Sequence, residues 1–164
     1  MLEDTKKNGQ LVKAKTSSLQ KASSNIISRG LSDLSLLTIE SDVLKYTQSD
    51  AIAYYNSGDD YYDKGQYDMA IENYDKAIAL EPKDAAAYKN RGLAYKNKGQ
   101  YDMAIENFDK AITLNPNYAE AYNNRGLAYV VSGNMVRAIS DFQKACDMGS
   151  KDGCENLQMA LKEG

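Results

Sequence analysis

The segment KGQYDMAIENYDKAIAL, Lys64 to Leu80, returns as KGQYDMAIENFDKAITL, Lys98 to Leu114. Fifteen of these 17 positions are identical, and the offset is 34 residues. A further shift of 34 carries YKNRGLAY, from Tyr88, onto YNNRGLAY, from Tyr122. The chain from Ala51 onward therefore divides into units at 51–84, 85–118 and 119–152, followed by a short end piece. Inside each unit the apolar residues follow two helical stripes. In the middle unit Tyr88, Leu93, Ala94 and Tyr95 form one, and Met103, Ala104, Ile105, Phe108, Ala111, Ile112 and Leu114 the other. Gly99 separates them and is free to adopt the left-handed conformation that ends a helix. Pro116 closes the unit because proline cannot continue a helix and biases Asn115 away from helical angles. The spacing predicts helices at 51–64, 67–80, 85–98, 101–114, 119–132 and 135–148.

Gly58, Gly92 and Gly126 fall inside first helices, where glycine costs about 1 kcal/mol relative to alanine. A cost repeated at one phase implies a repeated reason. The expectation is close backbone approach, with these glycines facing Ala70, Ala104 and Ala138.

Composition narrows the function. The 164-residue chain carries 20 Lys and Arg against 23 Asp and Glu, a net charge of -3. That balance argues against a nucleic-acid partner or an anionic membrane surface, which both select a basic field. No apolar run is long enough to span a bilayer, so no direct membrane insertion is expected. Lys6 and Lys7 lack a following apolar stretch, so no intact signal peptide is expected; a trimmed leader is left open. Histidine is absent, which removes Ser–His and Cys–His nucleophile pairs and all His-containing metal sites. Two cysteines cannot build a four-cysteine zinc site, and neither a GxxxxGK[ST] loop nor a GxGxxG motif occurs. The expectation is a chain that is not an enzyme, with no cofactor and no metal.

The repeat resembles the tetratricopeptide repeat (TPR) family. Its signature is met in the middle unit by Tyr88, Gly92, Tyr95, Gly99, Tyr101, Ala104, Phe108, Ala111 and Pro116. The first unit supplies Tyr54, Gly58, Tyr61, Gly65, Tyr67, Ala70, Tyr74, Ala77 and Pro82, and the third Tyr122, Gly126, Tyr129, Gly133, Ala138, Phe142 and Ala145. Met135 and Ser150 depart from it, as do Ser57, Arg91 and Arg125 where leucine is frequent. The resemblance implies an all-α helix-turn-helix solenoid wound as a right-handed superhelical array. A last repeat needs a cover, since one repeat cannot bury its apolar face alone. Residues 152–162 fit that role, with Asp152 to Glu155 as a box-like start and Leu157, Met159, Ala160 and Leu161 as the apolar face.

In this family the first helices line the concave side, where peptides bind. Mapping by phase puts Tyr55, Asn56, Asp59 and Tyr62 there from the first unit, together with Ile52. The second gives Lys89, Asn90, Leu93, Lys96 and Asn97, with Ala86. The third gives Asn123, Asn124, Leu127 and Val130, with Glu120 and Val131. Asn56, Asn90 and Asn124 recur at the period; a row of amides either pairs with the backbone of an extended peptide or bonds within the array. TPR proteins that bind chaperone C-termini use a carboxylate clamp of lysine, asparagine and arginine. At the matching phases this chain has Tyr55, Asp59, Asn90, Glu120 and Asn124; only Asn90 fits, and Asp59 and Glu120 would repel a terminal carboxylate.

ACDMGSKDGCENL is similar to the cysteine-bearing SEL-like relatives of TPRs, which implies a disulfide between Cys146 and Cys154. Two packed free thiols are the alternative. A bond would favour export to an oxidising (periplasmic) compartment over the cytoplasm. Near-identical tandem units with such an end look like bacterial TPR proteins. The first 50 residues lack the repeat and hold 13 Ser or Thr. Residues 1–30 are expected to be a flexible tail or linker, and 31–50 a helix packing on the array, folding into the groove, or leading to an anchor. The expected function is a scaffold binding a protein or peptide in the concave groove. Self-assembly into a homo-oligomer, or service as an accessory domain of a larger assembly, is the alternative.

Overall fold

A computed structural model describes residues 33–163, so the reading of residues 1–30 as a tail lies outside the described residues. Seven helices occur among them: α1 Asp33–Asp63, α2 Tyr67–Leu80, α3 Ala85–Asn97, α4 Tyr101–Leu114, α5 Ala119–Val131, α6 Met135–Asp147 and α7 Lys151–Glu163. No strand is present among the described residues. The chain groups into two compact units, Met1–Tyr46 and Thr47–Gly164. In the first, the described residues are the opening turns of α1. The second holds the rest of α1 and helices α2 to α7.

Within it, each helix packs on its chain neighbour, α2 on α3, α3 on α4 and so on to α6 on α7. Weaker contacts join α3 to α5 and α5 to α7. This nearest-neighbour pattern makes the fold a solenoid of helix pairs. The expected helices recur within a residue or so, with one difference: α1 extends without a break back to Asp33. Residues 33–50 contain neither Gly nor Pro, so no local signal ends the helix there.

The repeated turns have a common construction. Gly99 sits at φ 75°, its N–H donating to Lys96 O while Gln100 N donates to Tyr95 O. Only glycine takes that backbone angle without a Cβ penalty, and the two bonds satisfy carbonyls left open at the end of α3. Asp84 starts α3 by accepting from the N–H groups of Ala86 and Ala87 at 2.9 and 3.3 Å.

The core is a file of fully buried alanines and aromatic rings. Ala70, Ala104, Ala138, Phe108 and Phe142 are sealed from solvent, and so is nearly all of Tyr74. Burying such a ring contributes about 2–3 kcal/mol. The repeated glycines are explained here, and the partner differs from the expected alanine. A Cβ on Gly58 would lie 2.6 Å from Cε1 of Tyr74, on Gly92 2.7 Å from Cε1 of Phe108, and on Gly126 2.6 Å from Cε1 of Phe142. Each second helix brings an aromatic ring against the bare backbone of its first helix, at a glycine sixteen residues earlier in the chain.

Arg91 and Arg125, which replace the family's leucine, tie three helices together. Arg91 donates from Nε to Asn107 Oδ1 of α4 at 2.7 Å and from NH1 to Asp75 of α2. Arg125 grips buried Asp141 of α6 through Nε and NH2 at 2.8 and 2.7 Å, and reaches Asp109 of α4 through NH1. Burial opposes the Arg125 charge, but the bonds to Asp141 and Asp109 outweigh it and raise its pKa. The arginines thus stitch each unit to the one before it.

The C-terminal joint departs from the repeat. Between α6 and α7 the chain uses Met148, Gly149 at φ 87° and Ser150, with Gly149 N donating to Cys146 O and Ser150 N to Ala145 O. That is the bonding of the within-unit turn at Gly99, placed where earlier units use an Asn-Pro or Glu-Pro loop. Ser150 Oγ accepts from Gly153 N at 3.1 Å, so Ser150 rather than Asp152 is the capping residue and α7 starts at Lys151. Gly153 is pressed against α6, since a Cβ there would stand 2.6 Å from the Ala145 Cβ. Cys146 and Cys154 are bonded, with a Cα separation of 4.5 Å. Of the apolar face expected on α7, Ala160 is buried and Leu157 half-buried, while Met159 and Leu161 are 54% and 60% exposed. They belong to the outer side of the helix.

Candidate functional site

The first helices of successive units are related by one repeat, so they run parallel and residue i faces positions near i+34. Observed bonds between these helices fall at offsets of 28, 31 and 35, about one helical turn apart, and one to α7 at 33. Asn90 Nδ2 donates to Tyr55 Oη at 2.7 Å and to Asp59 Oδ1 at 2.8 Å. Asn97 Nδ2 donates to Tyr62 Oη at 2.8 Å, and Lys89 Nζ pairs with Glu120 Oε1 at 3.1 Å. Lys96 Nζ donates to Asn124 Oδ1 at 3.0 Å, and Asn156 Nδ2 of α7 to Asn123 Oδ1 at 2.8 Å. The face is therefore a laced surface, and the lacing decides what it can offer a ligand.

Asn90 spends both amide hydrogens inside the array, leaving its oxygen as an acceptor. Asn124 is 8% exposed; its amide donates to Glu120 O at 2.9 Å and its oxygen accepts from Lys96. Asn123 is likewise buried. Of the three periodic asparagines, Asn56 alone is exposed. Tyr55, Asp59, Tyr62, Lys89, Leu93, Lys96, Leu127 and Val130 are partly accessible, and Asn97 is exposed. Ile52, Glu120 and Val131 are exposed as well.

Between α1 and α3 the face opens into a cleft of about 200 Å³ lined by Asp59, Tyr62, Asp63, Tyr74, Asn90 and Leu93. Tyr74 reaches it from α2: its ring covers Gly58 and its hydroxyl donates to Asp59 Oδ1 at 2.6 Å. Burial, then the bond to the Asp59 carboxylate, raises the Tyr74 pKa. Burial and the neighbouring Asp59 push Tyr55 up to about 12. Burial lowers the Lys96 ammonium below its usual value. Desolvation on a packed face is the leading cause of each of these shifts. Among the described residues no group of three or more Cys, Asp or Glu is placed to hold a metal ion.

Phase mapping missed two cleft residues. Asp63 lies one position past Tyr62 at the end of α1, and Tyr74 belongs to the second helix. Its signal was legible as one of the two mismatches in the 17-residue repeat, where Phe108 stands opposite Tyr74.

Family comparison agrees with this architecture. A TPR repeat model matches residues 58–99, and tetratricopeptide repeat models match 85–118 and 107–147. The chain belongs to the tetratricopeptide repeat family. Solved TPR domains superpose on it over most of its length. The second TPR domain of human RPAP3, in complex with the HSP70 peptide SGPTIEEVD, is 28% identical with a TM-score of 0.67, covering 70% of this chain and 98% of that one. The second TPR of Spaghetti (RPAP3) bound to the HSP90 peptide SRMEEVD is 29% identical with a TM-score of 0.63, covering 65% of this chain and 98% of that one. The first TPR of Spaghetti, bound to the same peptide, shares the fold at 24% identity and a TM-score of 0.68, covering 71% and 94%. None of the curated proteins compared with the chain matches it.

Proposed function

We propose that this TPR protein is a non-catalytic interaction scaffold that binds an extended peptide segment along the face formed by α1, α3 and α5. The observation that carries the reading is the fold shared with human RPAP3's second TPR domain, which holds a peptide and is covered almost end to end. The face itself suits a peptide: half-buried Leu93 and Leu127 alternate with amides and charges, the mixture an extended backbone with spaced side chains requires. The bound peptides of those relatives end in EEVD, but Asp59 and Glu120 stand at the clamp phases here, so an acidic tail is disfavoured. The test is selection of random displayed peptides on the full chain, followed by titration against Leu93→Lys. We expect enriched peptides that bind the parent and lose at least about tenfold on the variant, with helix content unchanged by circular dichroism. Peptides that bind both equally would place recognition elsewhere.

Self-assembly is the second reading, favoured by Met159 and Leu161 pointing outward on the last helix, where a further repeat would stack. Light scattering decides it: a size that rises with concentration and returns to monomer in Leu161→Lys supports stacking, and a constant monomer removes it.

A further inference from the structure

The cleft between α1 and α3 breaks the repeat in a consistent direction. Asp59 and Tyr74 form a hydrogen-bonded pair in the first unit. One period on, the same two positions are Leu93 and Phe108, and two periods on Leu127 and Phe142. Asp63 becomes Asn97 and then Val131. An apolar pairing is thus exchanged for a polar, anionic one in one unit of the tandem, whose first helix differs from that of the next unit at seven of 14 positions. That exchange coincides with the cleft of about 200 Å³.

Hydrogen-bond valence gives the second line of argument. Asp59 Oδ1 already accepts from Tyr74 Oη and Asn90 Nδ2, which fixes the carboxylate in place; Oδ2 takes no bond from the described residues. The Asn90 amide must turn its nitrogen to Asp59, because a carboxylate offers only acceptors, and both its hydrogens are used. What remains among the groups lining the cleft is Asp59 Oδ2, Asn90 Oδ1 and the Asp63 carboxylate, with half-buried Tyr62 beside them, while the Tyr74 ring is buried. Acceptors outnumber donors at this wall: both Asn90 amide hydrogens and the Tyr74 hydroxyl hydrogen are used, and the Tyr62 hydroxyl, which accepts from Asn97, keeps its own hydrogen. Such a wall fits a cation carrying several N–H groups and a flat face for an aromatic ring. The volume corresponds to about six waters at roughly 30 Å³ each, which suits one side-chain head group.

We propose that this cleft takes the cationic side chain of the bound segment, arginine in preference to lysine, so that the scaffold selects basic peptides. The planar guanidinium matches a fixed carboxylate and stacks on tyrosine, which an ammonium does less well. This rests on the groove reading above, and the same selection separates the two. Peptides recovered on the full chain are expected to share an arginine or lysine at one register position. Replacing it by alanine or glutamate is expected to weaken binding about tenfold or more, as is Asp59→Asn, which keeps the acceptor for Tyr74 and Asn90 but removes the charge. Asp63→Asn gives an independent variant at an exposed position. Raising salt should weaken the parent complex more than the Asp59→Asn complex, which keeps the Asp63 charge. Groove-binding peptides without a basic preference, or with affinity indifferent to both substitutions, would overturn the cationic pocket while leaving the groove reading intact. Peptides insensitive to Leu93→Lys, which places a cation in the cleft, would overturn both.

Discussion

At the scale of single residues, the defining contact is a ring against a glycine. Gly92 sits in mid-helix at a propensity cost of about 1 kcal/mol because Phe108 occupies the space a Cβ would need. Gly92→Ala is therefore expected to destabilise the protein by about 1–3 kcal/mol in urea unfolding despite the better helix former, as overpacking does. Phe108→Ala alone should cost about 3–5 kcal/mol through the lost burial and the cavity left behind. In the double variant the alanine methyl enters that cavity, so adding Gly92→Ala to Phe108→Ala should cost nothing or restore stability. Additive losses would show that the glycine serves something else. The glycines were legible in the sequence as an anomaly at a fixed phase. Their partner was not, because Ala104 and Phe108 lie on the same face of one helix and period alone does not say which is nearer.

At the scale of elements, α7 is the informative piece. It is joined by a within-unit type of turn, capped by Ser150, pressed on α6 at Gly153 and bonded through Cys146 and Cys154. These four constraints act on one helix that completes the apolar surface of α6 and, through Asn156, bonds buried Asn123 of α5. Removing residues beyond Gly149 should expose Phe142 and Tyr129, whose cluster includes Ala160 and Leu157, and lower the melting temperature by several degrees. Reduction of the disulfide is a milder change. The closed loop is short, so its loss should cost about 2–3 kcal/mol in chemical denaturation with the helices retained. A truncated chain melting like the parent would deny α7 its covering role. The period marked where the last unit ends, and Ser150 in place of proline was visible as a departure. That the departure creates a cap required knowing where Gly153 N lies.

At the scale of the whole molecule, tyrosines distribute the pH response along the array. Tyr55 and Tyr118 are pushed up to about 12, and Tyr62, Tyr74 and Tyr95 are raised, with burial the leading cause in each. A phenol whose folded pKa exceeds its unfolded value near 10 stabilises the fold while it stays protonated. Stability from these groups should be constant below pH about 10 and decline as pH rises from 10 through 12. Denaturant midpoints across that range, with tyrosinate absorbance as a second probe, measure it. In Tyr74→Phe the decline should be smaller, and an unchanged slope would show that this tyrosine is not among its sources.

The helices, their turns and the 34-residue period follow from the sequence alone, because helix formation depends on neighbours three and four positions away and on Gly or Pro at the breaks. The same locality let the first-helix face be mapped by counting. Only the tertiary structure decided what that face still has to offer. The partners of Asn90, Asn124 and Arg125 come from other helices at offsets of 16, 28, 31 and 35, set by how far one rod slides along the next. Counting residues finds an amide; it does not say whether its hydrogens are already taken. Donor and acceptor valence is settled between helices, and in this protein that valence turns a row of asparagines into internal lacing beside an anionic cleft.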